Sequence, residues 1–149
     1  MILTWTSKKF TNLTLAELYD LLQLRMAVFI VEQNCPFQDI DGKDADAYHL
    51  LGYTEQGRLA AYARLFDAGH YYEQVSIGRV AVSLDYRRYG FGKALMQQAI
   101  THCETLFGSQ PIKIGAQQYL MAFYQSFGFM QLGEMYLEDD IPHIYMVRS

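Results

Sequence analysis

The chain has 149 residues, near the size of one domain with one sizeable core; 51% are hydrophobic and 19% charged, a globular rather than a disordered composition. Its net charge is −4 with no basic stripe, which counts against nucleic acid and is compatible with a cationic small substrate attracted at long range. Cys35 and Cys103 form no CxxC pair, no apolar run is long enough to span a bilayer, and Met1 to Phe10 lacks the basic-then-apolar order of a signal peptide, so a reduced, cytoplasmic setting is expected.

No repeat, low-complexity segment or linker divides the chain, and residues 1–149 read as a single domain. Thr4 to Phe10 is a short candidate strand. Thr14-Leu15-Ala16-Glu17 has the order of a capping box, and Leu15, Leu18, Leu22, Met26 and Phe29 follow at helical spacing, so a helix is predicted from about Thr14 to Val28. Glu32 to Tyr48 is polar and acidic and reads as an ordered loop. His49 to Thr54 and Leu59 to Phe66 form a predicted hairpin around Glu55-Gln56-Gly57-Arg58. Val75 to Val82 is a β-branched strand, and Leu95, Met96, Ala99, Cys103 and Leu106 mark one face of a helix over Phe91 to Phe107, stopped by Gly108. Ile112 to Ala116 suits a buried strand, Gln118 to Phe127 a second helix before Gly128, and Met130 to Leu137 with His143 to Val147 a last hairpin. Strand–helix–strand connections demand a parallel pair, whereas hairpins are antiparallel. The expected fold is α/β (mixed α+β): a mixed, mostly antiparallel sheet with helices on its faces.

The richest stretch runs from Val80 to Leu95, where a strand ends, Arg87-Arg88-Tyr89-Gly90-Phe91-Gly92 turns, and a helix begins. Helix N-termini present unpaired N–H groups and partial positive charge, and glycine lets backbone approach a phosphate. Arg87, Arg88 and Lys93 add charge there. The dinucleotide fingerprint fails because Leu95 stands where its third glycine belongs, and the nucleotide P-loop fails because Ala94 follows Lys93 in place of a hydroxyl residue. Gly-x-Gly alone can also be a turn that merely uses glycine.

Arg87-x-x-Gly90-x-Gly92 after a Val-rich strand resembles the acetyl-CoA pyrophosphate motif of the GNAT N-acetyltransferase superfamily. Phe123-Tyr124-Gln125-Ser126-Phe127-Gly128-Phe129 looks like that family's second marker, at the interval the family shows. Leu24-Arg25-x-x-Val28-Phe29-x-Val31-Glu32-Gln33-x-Cys35-Pro36, Asp39-x-Asp41-Gly42-x-Asp44, Ile77-Gly78-Arg79-Val80 and Glu138-Asp139-x-Ile141-Pro142-His143 resemble its ElaA-type branch, so the likeness covers nearly the whole chain. The resemblance implies a splayed parallel strand pair that takes the pantetheine arm along Val80, Ala81 and Val82. It implies backbone N–H groups from the Arg87, Arg88, Tyr89, Gly90, Phe91, Gly92, Lys93 turn for the pyrophosphate, and Gln117 as a cofactor-binding amide.

Amine acetylation by acetyl-CoA needs a neutral amine, a donor for the developing oxyanion and a proton for the departing thiolate. The resemblance implies a backbone N–H near Val82 as the donor and Tyr124 as the acid, although a tyrosine between Phe123 and Phe127 can also be a packing residue. Glu32, His49, Glu138 and His143 are candidates for the base; Glu32 stands first because it follows the first helix, where the family often builds its acceptor pocket. The acceptor would be a small-molecule or peptide amine. Asp39, Asp41, Asp44 and Asp46 do not fit a calcium loop, because Gly42 is misplaced and Leu50 occupies the bidentate glutamate's position, so no metal is expected. Cys35 as an acyl-enzyme nucleophile has no base at a telling spacing. Edge strands near Tyr136 and Tyr145 could pair across a homodimer. The rival readings are a module that binds acetyl-CoA or CoA without turnover, and a scaffold that uses only the fold.

Overall fold

The computed structural model describes all of residues 1–149. Its strands are β1 (Thr4–Lys9), β2 (Tyr48–Tyr53), β3 (Leu59–Phe66), β4 (Val75–Val82), β5 (Ile112–Gln117), β6 (Phe129–Glu138) and β7 (Ile141–Arg148). The helices are α1 (Leu15–Arg25), α2 (Phe91–Phe107) and α3 (Met121–Gln125). One seven-stranded sheet runs β1-β2-β3-β4-β5-β7-β6, antiparallel throughout except for β4 with β5. The crossover through α2 makes that pair parallel, because a helix must carry the chain back to the starting edge.

Thr14 caps α1 as its sequence predicts. The Glu17 N–H donates to the Thr14 hydroxyl at 3.0 Å, and the Thr14 N–H donates to the Glu17 carboxylate at 2.8 Å. The helix then widens into π-helical turns over Met26–Glu32 rather than stopping at Val28. Such a widening changes which side chains face inward, and it turns Val28, Phe29 and Glu32 toward the central cavity. The inward stripe differs from the predicted one: Leu21, Leu24, Arg25 and Val28 are buried, whereas Leu15 is 87% exposed and Met26 50%.

Helices cover both faces. Leu95, Met96, Ala99 and Cys103 of α2, with Tyr124 of α3, pack on Val75, Ile77, Ile112, Ile114, Ile144 and Met146. Leu21, Leu24 and Val28 pack on Leu51, Tyr62 and Ala81 of the other face. Each large aliphatic side chain buried here contributes about 1.5–3 kcal/mol. The predicted second helix splits into a 3-10 turn (Gln118–Leu120) and the short α3, which closes at Gly128 with φ 92°. The last hairpin turns through Asp139 and Asp140, both at positive φ (51° and 63°), in a tight two-residue link. β7 lies inside the sheet between β5 and β6, so Tyr145 is not on an edge; only Tyr136, on β6, is.

Candidate active site

The parallel pair is short. β4 and β5 pair only at Val75–Ile112 and Ser76–Lys113, and beyond Ser76 they part. The cause is on the other side of β4. Arg64 pairs with Gly78 and Tyr62 with Ala81, so Arg79 and Val80 together oppose Ala63 in a β-bulge, with Arg79 at φ 49°. A bulge bends its strand and strengthens its twist, and here it steers β4 away from β5. The Ser83 N–H donates to Ala60 O at 2.8 Å, so by alternation Val82 turns its own N–H and C=O away from β3, toward the split.

The split opens into a cavity of about 570 Å³. It joins the two faces of the sheet: Ile114, Ala116 and Tyr124 border it from the α3 side, and Glu138 and His143 from the opposite side. Among the residues singled out in the sequence, Val80, Val82, Arg87, Gln117, Tyr124 and Glu32 all line this space. Ala81 does not; its side chain is buried under α1, leaving only its backbone to β4.

Arg88, Tyr89, Gly90, Phe91, Gly92 and Lys93 continue from Arg87 into α2. Leu84–Tyr89 is a 3-10 turn, and Gly90 then takes the left-handed conformation (φ 73°) that sets the first turn of α2. No side chain caps α2, so its first N–H groups stay free. A Cβ at Gly90 or Gly92 would meet nothing within 4 Å, so the space above this turn is open. Arg88 and Lys93 are exposed, and the Arg88 guanidinium lies over the Tyr89 ring, which stacks on buried Phe91.

Arg87 is not free. Its Nε donates to Val82 O at 3.2 Å, and its two Nη atoms grip the Glu32 carboxylate, one at 2.6 Å. The hydrogen bonds from Arg87 hold the Glu32 carboxyl below its ordinary range. Glu32 is therefore ionised but engaged at both oxygens.

Tyr124 is buried, its ring set edge-on against Phe123 and Phe129, and its hydroxyl makes no hydrogen bond within the protein. Burial, with Tyr119 nearby, pushes its pKa up to about 12, so it stays protonated at physiological pH. The Gln117 amide donates to Gln33 Oε1 at 3.3 Å.

Of the other base candidates, His49 lies outside the cavity. Its Nε2–H donates to Asp44 O (2.9 Å), its Nδ1 accepts from Tyr62 (2.7 Å), and burial lowers its pKa. His143 and Glu138 stand together, with His143 Nε2 3.3 Å from a Glu138 oxygen.

Three aspartates of the acidic loop are drawn into ion pairs, and Asp46 stays exposed. Asp44 Oδ1 accepts from Arg25 (2.7 Å) and Arg64 (3.0 Å), Asp41 takes a two-point grip from Arg64 (2.9 Å each), and Asp39 accepts from Arg25 (2.9 Å) and Arg79 (2.7 Å). Burial pushes Asp41 up, but the Arg64 hydrogen bonds and charge outweigh it and hold Asp41 at about 2. The loop forms a cavity wall with Cys35, Phe37, Asp41 and Lys43. Sequence reasoning gave no site role to Arg79 or Tyr71, which also line it. The only local sign of Arg79 was its place in Ile77-Gly78-Arg79-Val80; a positive φ leaves no mark in a non-glycine residue.

Residues 19–149 match the model of the acetyltransferase (GNAT) domain. The chain belongs to the GNAT acetyltransferase family. It is 46% identical to the ElaA protein of Escherichia coli K12 over 150 residues, spanning 99% of this chain and 97% of the relative. The GNAT fold here superposes on the crystal structure of Escherichia coli ElaA with a TM-score of 0.90 over 98% of this chain and 99% of that one. An acyl-CoA N-acyltransferase from Pseudomonas aeruginosa is 48% identical, with a TM-score of 0.94 over 99% of both chains. The split sheet and the uncapped α2 turn thus belong to a family of acyl-CoA N-acyltransferases, and no helix of this member is long and apolar enough to cross a membrane.

Proposed function

We propose that this GNAT protein is an acetyl-CoA-dependent N-acetyltransferase, one cytoplasmic catalytic domain that modifies a primary amine by direct attack in a ternary complex. The observation that carries the reading is the split between β4 and β5, with an uncapped helix N-terminus at one end and an unpartnered tyrosine hydroxyl on its wall. These features fit a CoA thioester. The freed edge of β4 can pair with an amide-bearing chain along Val80 and Val82, and the N–H groups from Arg88 to Lys93 can hold a diphosphate where the space above Gly90 and Gly92 is open. Gln117 offers an amide to the same chain. Acetyl-CoA would supply the activated acetyl group as a thioester.

The protein's part is positioning and proton management. Val82 directs its N–H into the split, where negative charge develops on the acetyl oxygen. Tyr124 gives a proton to the departing sulfur, and its raised pKa keeps that proton in place until it is needed. The acceptor is a small-molecule or peptide amine entering between the acidic-loop wall and the β6–β7 turn. A module that merely binds CoA has no use for an unpartnered phenol in the cavity, which favours turnover.

Two measurements test this. Acetyl-CoA should bind in the micromolar range, about −8 kcal/mol, and ATP far more weakly; equal affinity for the two removes the reading. With any accepted amine from a broad panel, Tyr124→Phe should lower kcat about 10²-fold while leaving acetyl-CoA affinity unchanged. A Phe variant with unchanged kcat where chemistry limits the rate means that Tyr124 is not the acid.

A further inference from the structure

An amine that arrives as an ammonium must lose a proton before it can attack, and Glu32, gripped by Arg87 at both oxygens, is poorly placed to take it. The opposite wall offers a better group. His143 Nδ1 lies 2.7 Å from Ile141 O; a carbonyl oxygen only accepts, so Nδ1 carries the hydrogen. In the neutral ring, Nε2 is therefore a bare acceptor. Yet Nε2 stands 3.3 Å from a carboxylate oxygen of Glu138, which is also only an acceptor. Two acceptors at that separation repel unless a proton, or a donor carrying one, sits with them. A proton arriving at Nε2 thus meets a carboxylate acceptor already in place.

Its position suits the task. β5 and β7 place Ile114, Ala116, Ile144 and Met146 on the α3 face with Tyr124. By alternation His143, like Tyr145, lies on the other face of the sheet and borders the same cavity as the proposed acid. Backbone fixes the pair: Gln117 pairs with His143, Tyr136 with His143 and Glu138 with Ile141, and the two-residue Asp139–Asp140 turn closes the hairpin. His143 is 7% exposed, so its ring is held.

We propose that His143 is the general base, with Glu138 as the positioning carboxylate that steadies the imidazolium. This rests on the transferase reading above. An acceptor ammonium gives one proton to His143 Nε2, and the neutral nitrogen forms the C–N bond as the C–S bond breaks. Of the two protons the ammonium must lose, His143 passes one to solvent; the other leaves the new amide nitrogen and balances the proton that Tyr124 gives to the sulfur. The charged and titratable groups that share this side are Glu138 and Tyr136 on β6, Tyr145 on β7, Asp139 at the turn, Arg79 on β4 and, beyond Tyr145, Lys113 on β5 with Tyr72; Asp41 and Lys43 face it from the acidic loop across the cavity. Burial, with Tyr145 and Glu138 beside it, raises Tyr136 far above neutrality, so it does not compete for the proton.

The test compares wild type with His143→Asn, which can still donate to Ile141 O but lacks Nε2, and with Glu138→Gln, on an accepted amine from pH 7 to pH 10. The His143→Asn variant should lose about 10²-fold or more in kcat/KM at pH 7. The deficit should close as pH approaches the amine's own pKa of roughly 10, where solvent supplies the neutral amine. Glu138→Gln should lose about tenfold at pH 7, with acetyl-CoA affinity and melting temperature unchanged, and it carries the test alone if His143→Asn does not fold. A wild-type rate at pH 7 in the folded variants, or a deficit equal at both pH values, overturns the base assignment alone. Absence of transfer to every amine by the wild type overturns the transferase reading, and the base assignment with it.

Discussion

Asp44 is the point at which the buried ion network can be tested. Its Oδ1 is shared by Arg25 at 2.7 Å and Arg64 at 3.0 Å, and both arginines are essentially shut off from solvent (0% and 1% exposed). Asp44→Ala removes that oxygen. Arg64 keeps both oxygens of Asp41 and Arg25 keeps Asp39, but Arg25 Nη1 loses its acceptor. Breaking a buried ion pair from one side costs about 3–5 kcal/mol, because a charge is left uncompensated. The surviving partners put this case at the lower end, about 3 kcal/mol. For a domain of this size that corresponds to a fall in Tm of roughly 6–12 °C. Urea denaturation should show the midpoint shifting with m unchanged. Asp46→Ala, at an exposed aspartate of the same loop, should stay within about 0.5 kcal/mol of wild type. If Asp44→Ala also falls within 1 kcal/mol, the carboxylate is not holding the arginines and the loop wall must be stabilised by something else.

Gly92→Val should weaken acetyl-CoA binding at least tenfold in calorimetry while barely moving Tm, since its side chain would project into open space where phosphate is expected; unchanged affinity would move the pyrophosphate elsewhere. Stability should be highest above about pH 6.5 and fall as the medium is acidified: burial lowers folded His49 below its ordinary 6.5, so the unfolded chain binds the extra proton first, and Asp41, at about 2, adds a steeper loss below about pH 4. A Tm that stays flat from pH 7 to pH 3 would contradict both assignments. Gly52→Ala should cost about 1–3 kcal/mol in urea melts, because its Cβ would stand 2.7 Å from the Trp5 ring; a neutral result would mean that the indole moves aside freely.

What the sequence determined by itself was local. A β-branched run placed β4 at Val75–Val82, helical spacing placed α2 at Phe91–Phe107, Thr14 and Glu17 marked the start of α1, and the order of strands and helices required one parallel pair in an otherwise antiparallel sheet. Each of these depends on neighbours within a turn or a strand, where propensity and periodicity act. The turn of Arg87, Gly90 and Gly92 was legible for the same reason. The tertiary structure alone decided what happens between distant segments. The bulge at Arg79 splits the sheet, the π-helical turns after Arg25 re-aim Glu32, and Arg87 reaches back 55 positions to hold it. Arginines from α1, β3 and β4 tie Asp39, Asp41 and Asp44, of a loop that reads only as polar and acidic, into one ion network along the cavity wall. His143 and His49 look alike as letters, yet one borders the cavity and the other is sealed behind the acidic loop. Burial and charge pairing are properties of the folded surroundings, and those surroundings are assembled from residues that no local pattern brings together.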